Sequence, residues 1–235
     1  MFKAFKEHGA QKTPEEKGLE LLEELDHDRS SYSPAFCLEL IKGGADINIQ
    51  DRMGMTALMW AVWRKDEDIT DALIKGGAKI DIKNKEGQTA LMIAAQSGSS
   101  SPTVLRTLID SGADINMQGN GSARSALMWA VEKGNADAVR VLIDCGAKVD
   151  IQDKDGITAL MMAAWYGDTN VAHFLIESGA DPLLKDNKGR LPQDMAAGRH
   201  SSLSVYLTEA AFSAADKAGT PRSHKIRRAV PKQSM

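Results

Sequence analysis

Apolar residues along this chain fall into two alternating patterns. Runs such as Ala57, Leu58, Ala61 and Val62, or Ala138, Val139, Val141, Leu142 and Ile143, place one apolar face at helical spacing. Between such runs lie stretches such as Ile80-Asp81-Ile82-Lys83-Asn84-Lys85-Glu86-Gly87, where apolar and polar residues alternate before a glycine turn. The first pattern predicts helices, and the second predicts a short β-hairpin. A hydroxyl residue (Thr56, Thr89, Ser125 or Thr158) precedes each first run, placed to accept from the free N–H groups of a starting helix. Loops holding Gly98, Gly134 or Gly167 divide the first run from the second. The second run stops at Gly77, Gly112, Gly146 or Gly179, where a left-handed residue ends a helix without a Cβ penalty.

These signals recur. Thr56-Ala57-Leu58-Met59 returns at Thr89, Ser125 and Thr158 and, degenerate, as Leu191-Pro192-Gln193-Asp194, in steps of 33, 36, 33 and 33 residues. Gly44-Ala45-Asp46 and Leu40-Ile41 recur in phase with it. Helix, turn, helix and hairpin in 33 residues, with TALM-x-A in place of TPLH-x-A, resembles the ankyrin repeat over about residues 33–207. The resemblance implies an all-α solenoid of stacked helix-turn-helix units joined by short β-hairpin loops. Ala takes the place of Pro at the first helical position, and Met59, Met92, Met128 and Met161 take that of the usual His, exchanging a polar network for apolar filler.

A single unit cannot bury its apolar face alone, so order comes from stacking. The chain divides into an N-terminal tail (1–12), a capping repeat (13–50) opened by Thr13-Pro14-Glu15-Glu16, and four repeats (51–83, 84–118, 119–152 and 153–185). The second of these has a longer inter-helix loop, and the third has an extra residue at Gly119–Arg124. A divergent closing repeat (186–212), with a helix at about 202–212, and a basic flexible tail (213–235) complete it.

Charge and chemistry narrow the function. Residues 216–235 carry six basic residues against Asp216, leaving 23 basic and 31 acidic residues, net −8, in 1–215. An acidic body disfavours nucleic acid, so any polyanion contact falls weakly on the tail, around Arg222–Arg228. That segment reads as a solvated end, a transport or secretion address, or a weak polyanion contact. Two cysteines make no disulfide framework and fit a reducing compartment. No run approaches the ~18 apolar residues of a membrane span. A cytoplasmic monomer is the expectation, with translocation into a host cell as the alternative.

His8, His27, His173, His200 and His224 are scattered, so no metal is expected. Asp153-Lys154-Asp155-Gly156 lacks the ligands that would complete a calcium loop and reads as a turn. Gly119-Asn120-Gly121 lacks the Lys-Ser/Thr of a phosphate loop, and Ser99–Ser101 has no partnered base. Cys145, just before a C-cap glycine and with only Lys148 near it to favour a thiolate, reads as a tolerated surface or half-buried thiol rather than a reactive one. No enzyme activity and no cofactor are expected.

The resemblance implies that a protein partner is held by hairpin tips and by the concave face of the first helices. By repeat phase those positions are Arg52, Met53, Met55, Lys85, Gln88, Arg124, Lys154 and Ile157 on the tips. On the helices they are Trp63, Arg64, Gln96, Lys133, Trp165 and Tyr166. Met53, Met55, Trp63, Ile157, Trp165 and Tyr166 are the candidate anchors. An aromatic at helical spacing is as readily core as contact, so both readings stand for Trp63 and Trp165, while Trp60 and Trp129 are assigned mainly to the core. The function expected is a non-enzymatic protein-protein interaction module (scaffold, adaptor or inhibitor). The alternative is an exported effector that binds a host protein.

Overall fold

A computed structural model describes residues 12–26, 32–97 and 102–217. Helix pairs follow one another along the chain. They are α1 (Pro14–Asp26) with α2 (Pro34–Lys42), α3 (Ala57–Arg64) with α4 (Glu67–Lys75), and α5 (Ala90–Gln96) with α6 (Pro102–Asp110). Then come α7 (Ala126–Glu132) with α8 (Ala136–Asp144), α9 (Ala159–Tyr166) with α10 (Thr169–Glu177), and α11 (Pro192–Ala196) with α12 (Ser201–Lys217). The closing helix continues past the expected end near Phe212, so residues 213–217 are helical rather than tail.

The caps form where the sequence places them. Thr56, Thr89, Ser125 and Thr158 accept through their hydroxyls from the N–H of Met59, Met92, Met128 and Met161. Thr13 and Glu16 bond reciprocally at the start of α1. At the end of α4, Gly77 (φ +88) donates to the Ile74 carbonyl and Ala78 to the Leu73 carbonyl, which closes the last turn.

Odd-numbered helices pack side by side in one row, each against the next from α1 to α11. The even-numbered helices back them, with α2, α4, α6 and α8 in contact in sequence and α12 laid on α11. The core lies between the rows. Leu58, Leu91, Leu127 and Leu160 are buried, and the four methionines that follow them are sealed just as completely. One apolar cluster runs from α1 to α12.

The loops differ from the expected hairpins: among the described residues no strand forms, only an isolated bridge between Gln118 and Ser125. The reason is local. Asp51, Asn84, Asp153 and Asp186 each close a five-residue turn with two backbone bonds, donating to the carbonyls of Met55, Gln88, Ile157 and Arg190 and accepting from the N–H of Gly54, Gly87, Gly156 and Gly189. Their side-chain oxygens then accept two further N–H groups inside the turn. These side chains take the donors that a strand ladder would use. In the third repeat Gly119 stands at this position, and the longer turn is closed by Gly119 N–H to the Arg124 carbonyl.

Neighbouring units are joined by side chains that reach forward. Gln50, Lys83, Gln118 and Gln152 donate to the carbonyls of Lys83, Gln118, Gln152 and Lys185 at 2.7–3.0 Å. Asn48, Asp81, Asn116 and Asp150 accept from the N–H of Lys79, Asp114, Lys148 and Asp181 in the next unit. Burial pushes the Asp150 carboxyl up, and the Asp181 N–H opposes this.

A groove along the inner helices

A groove is bordered by the C-terminal ends of α1, α3, α5 and α7 and by the turn tips that precede α3 and α5. Trp60 and Trp63 lie one helical turn apart on α3 and meet edge to face, ring centroids 5.6 Å apart. Trp60 is 7% exposed, and its indole N–H donates to Asp51 at 2.9 Å. Trp63 is 57% exposed. Both walls belong to a cavity of about 950 Å³ shared with Met53, Met55, Ile93 and Gln96. Asp26, Arg64, Glu86, Gln88 and Lys133 also line it.

The expected contact residues separate into three groups. Arg52, Met53, Trp63, Lys85, Lys133, Lys154, Trp165 and Tyr166 are exposed. Gln88, Gln96, Ile157, Arg64 and Arg124 are half-buried. Met55 is the correction: expected on an exposed tip, it is 7% exposed, because the turn folds its N–H onto Asp51 and its sulfur beneath the Asn84 amide. The two arginines are engaged within the chain. Arg64 lies 4.4 Å over the Tyr32 ring and donates to the Leu25 carbonyl. Arg124 pairs with Glu132 and sits 5.2 Å over the Trp129 ring.

The two aromatic ends of the face differ. Arg199 lies 4.4 Å over the ring of Trp165. At the other end, Tyr32 donates to Asp66 at 2.6 Å, and its hydroxyl is pushed well above its ordinary range by burial and by that carboxylate. Cys37 beside it is pushed up to about 12 by burial, with Glu24 adding to the effect.

Gln96, another lining residue, has a side-chain nitrogen closed from solvent and without a hydrogen-bond partner. Repeat phase finds Trp63, Gln96 and Lys133. It misses Ile93, which shares the phase of Trp60, and Asp26, which ends a capping helix outside the repeat register.

Among the described residues no group of three His, Cys, Asp or Glu side chains is placed to hold a metal ion, and no helix is long and apolar enough to cross a membrane. His173 stacks on Tyr206 at 3.7 Å. His8, His27, His224, Gly98, Ser99–Ser101, residues 1–11 of the N-terminal tail and the basic run Arg222–Arg228 lie outside the described residues.

The family model for ankyrin repeats (3 copies) matches residues 29–119 and 101–186. The chain is an ankyrin-repeat protein. Its ankyrin segment is 38% identical over 150 residues to the nuclear factor NF-kappa-B p105 subunit of Gallus gallus, covering 63% of this chain and 15% of that one. The B-cell lymphoma 3 protein homolog of Mus musculus is 33% identical over 164 residues, 68% of this chain and 36% of that protein. The neurogenic locus notch homolog protein 1 of Xenopus laevis is 33% identical over 170 residues, 72% of this chain and 7% of that protein. The chain therefore spans a minor part of these relatives. What they share with it is the ankyrin array, a general protein-protein interaction module that is typically non-enzymatic.

Proposed function

We propose that this ankyrin-repeat protein is a non-enzymatic scaffold, adaptor or inhibitor that holds a protein partner between its turn tips and its concave helix face. The observation that carries the reading is Trp63, a large ring left 57% exposed on a packed helix at the wall of a 950 Å³ cavity. Large rigid side chains in concave sites supply much of the energy in protein interfaces. The turns around it are held by bonds within and between units, so little freedom is lost on association. Arg52, Met53, Lys85, Gln88, Gln96, Lys133, Lys154, Ile157, Trp165 and Tyr166 form the proposed surface, with the protein acting as a monomer.

Affinity capture from the native lysate, wild type beside the Trp63→Ala/Trp165→Ala double variant, tests it. A partner retained by the first and lost by the second, with the far-UV helix signal unchanged, supports the proposal. A collapsed helix signal, or a partner held equally by both, overturns it. The exported-effector reading has its support in the basic run at 216–235. Deleting that run would stop export while leaving binding in vitro intact.

A further inference from the structure

We infer that the partner enters at the Trp63 end of the groove, as an extended peptide carrying an apolar anchor and, five or six residues away, a carboxylate. This rests on the protein-binding reading above and adds to it the place, the conformation and the charge of the occupant.

The place follows from the contrast between the two exposed tryptophans. Trp63 meets Trp60 at right angles and is 57% exposed, and its pocket continues into the apolar walls of Met53, Met55 and Ile93. Trp165 lies outside that cavity, and the guanidinium of Arg199, 4.4 Å away, occupies one face of its ring. The closing repeat thereby takes one face of Trp165, leaving it the lesser contact, while Trp63 lines a pocket sized for a ligand.

The conformation follows from Gln96. That residue lines the cavity, and its Nε2 is sealed from solvent and unpartnered, a costly state for a donor. The outer torsion of a glutamine is broad, so the amide can turn to meet an incoming acceptor. A helix has spent its carbonyls on its own N–H groups, whereas an extended segment offers a free one at every residue.

The charge follows from Lys133. Glu132 is held by Arg124, and the ammonium of Lys133 stands 3.6 Å from it, exposed at the edge of the cavity. Asp26 and Glu86 border the same space, but Asp26 belongs to α1, at the other end of the row, and Glu86 to the second turn tip. A carboxylate is thus favoured at the Lys133 end. Helix axes pack 8–10 Å apart, so Trp63 and Lys133, two units apart, are separated by roughly 16–20 Å. An extended chain rising about 3.3 Å per residue covers that in five or six residues.

Panning a phage-displayed library of random 16-residue linear peptides against the full chain tests this. Enriched peptides should carry Trp, Phe or Leu with Asp or Glu five or six residues away. Their affinity should fall about tenfold or more in Trp63→Ala, less than about threefold in Trp165→Ala, and invert toward Lys or Arg at the acidic position when Lys133→Glu is panned. Each variant alters an exposed side chain, and an unchanged thermal melt verifies the fold. Enriched peptides without an acid, an acid spaced at eleven or more residues as a helix would need, or a library yielding no binder overturns the inference. Binding lost in Trp165→Ala and retained in Trp63→Ala overturns the inference and leaves the groove reading standing. Binders indifferent to every one of these changes overturn both.

Discussion

Trp60 and Trp63 share a helix and a residue type, yet one indole is tied to Asp51 inside the stack and the other is held out of it. Truncating Trp60 removes a buried ring, so Trp60→Ala should cost about 3–5 kcal/mol in a denaturant titration, while Trp63→Ala should cost under about 1 kcal/mol. Cys37 is buried, its thiol pushed up to about 12, whereas Cys145 is half-buried. A thiol reagent should label Cys145 alone in the folded protein and both cysteines in denaturant. Two labelled thiols at native pH would contradict the burial of Cys37. At Asp186 burial raises the carboxyl, but the Arg190 backbone and side-chain N–H groups outweigh it and hold the group below the usual carboxylate range. Its folded value lies under the unfolded one of about 3.9, so its contribution is complete above that pH and fades as pH falls below it. Urea midpoints at pH 6 and pH 3 should drop further for wild type than for Asp186→Asn.

The elements show where sequence reading succeeds and where it stops. Helices were legible because their signals are local: a hydroxyl three residues before the N–H it receives, and a glycine at the end. The turns alternate like strands, but Asp51, Asn84, Asp153 and Asp186 redirect the donors, and Met55 goes inward with them. The engagement of Arg64 by Tyr32 and Leu25 was out of reach, since its partners lie more than thirty residues away and in a cap outside the repeat phase. Glycines separate at the same scale. A Cβ on Gly77 meets open space, so Gly77→Ala should cost only the left-handed backbone penalty of roughly 1–2 kcal/mol. A Cβ on Gly87 would lie 2.1 Å from the Asn120 backbone nitrogen, so Gly87→Ala should also push two turns apart and lower the melting temperature further.

Across the whole molecule, stability accumulates from neighbour to neighbour. Leu207 of α12 is fully buried against the closing repeat, so Leu207→Ala should cost about 2–5 kcal/mol locally. Hydrogen exchange should then quicken most in α11 and α12, less in α9, and least in α3 and α5. An even rise throughout would mean that the array unfolds as one block. The groove belongs to this scale too, since α1, three repeats and the tips of the first two all border it. No single repeat therefore contains it, which is why repeat phase names its residues one by one but not the space between them.

The forward reach of Gln50, Lys83, Gln118 and Gln152 has a consequence for lengthening the chain. Each of these side chains asks only a main-chain oxygen of its successor, which any amino acid supplies. A spliced-in copy of the segment from Thr56 to Gln88 would be received by its predecessor whatever its own surface residues. It could then be recoded for a new ligand while the joint behind it stays the same.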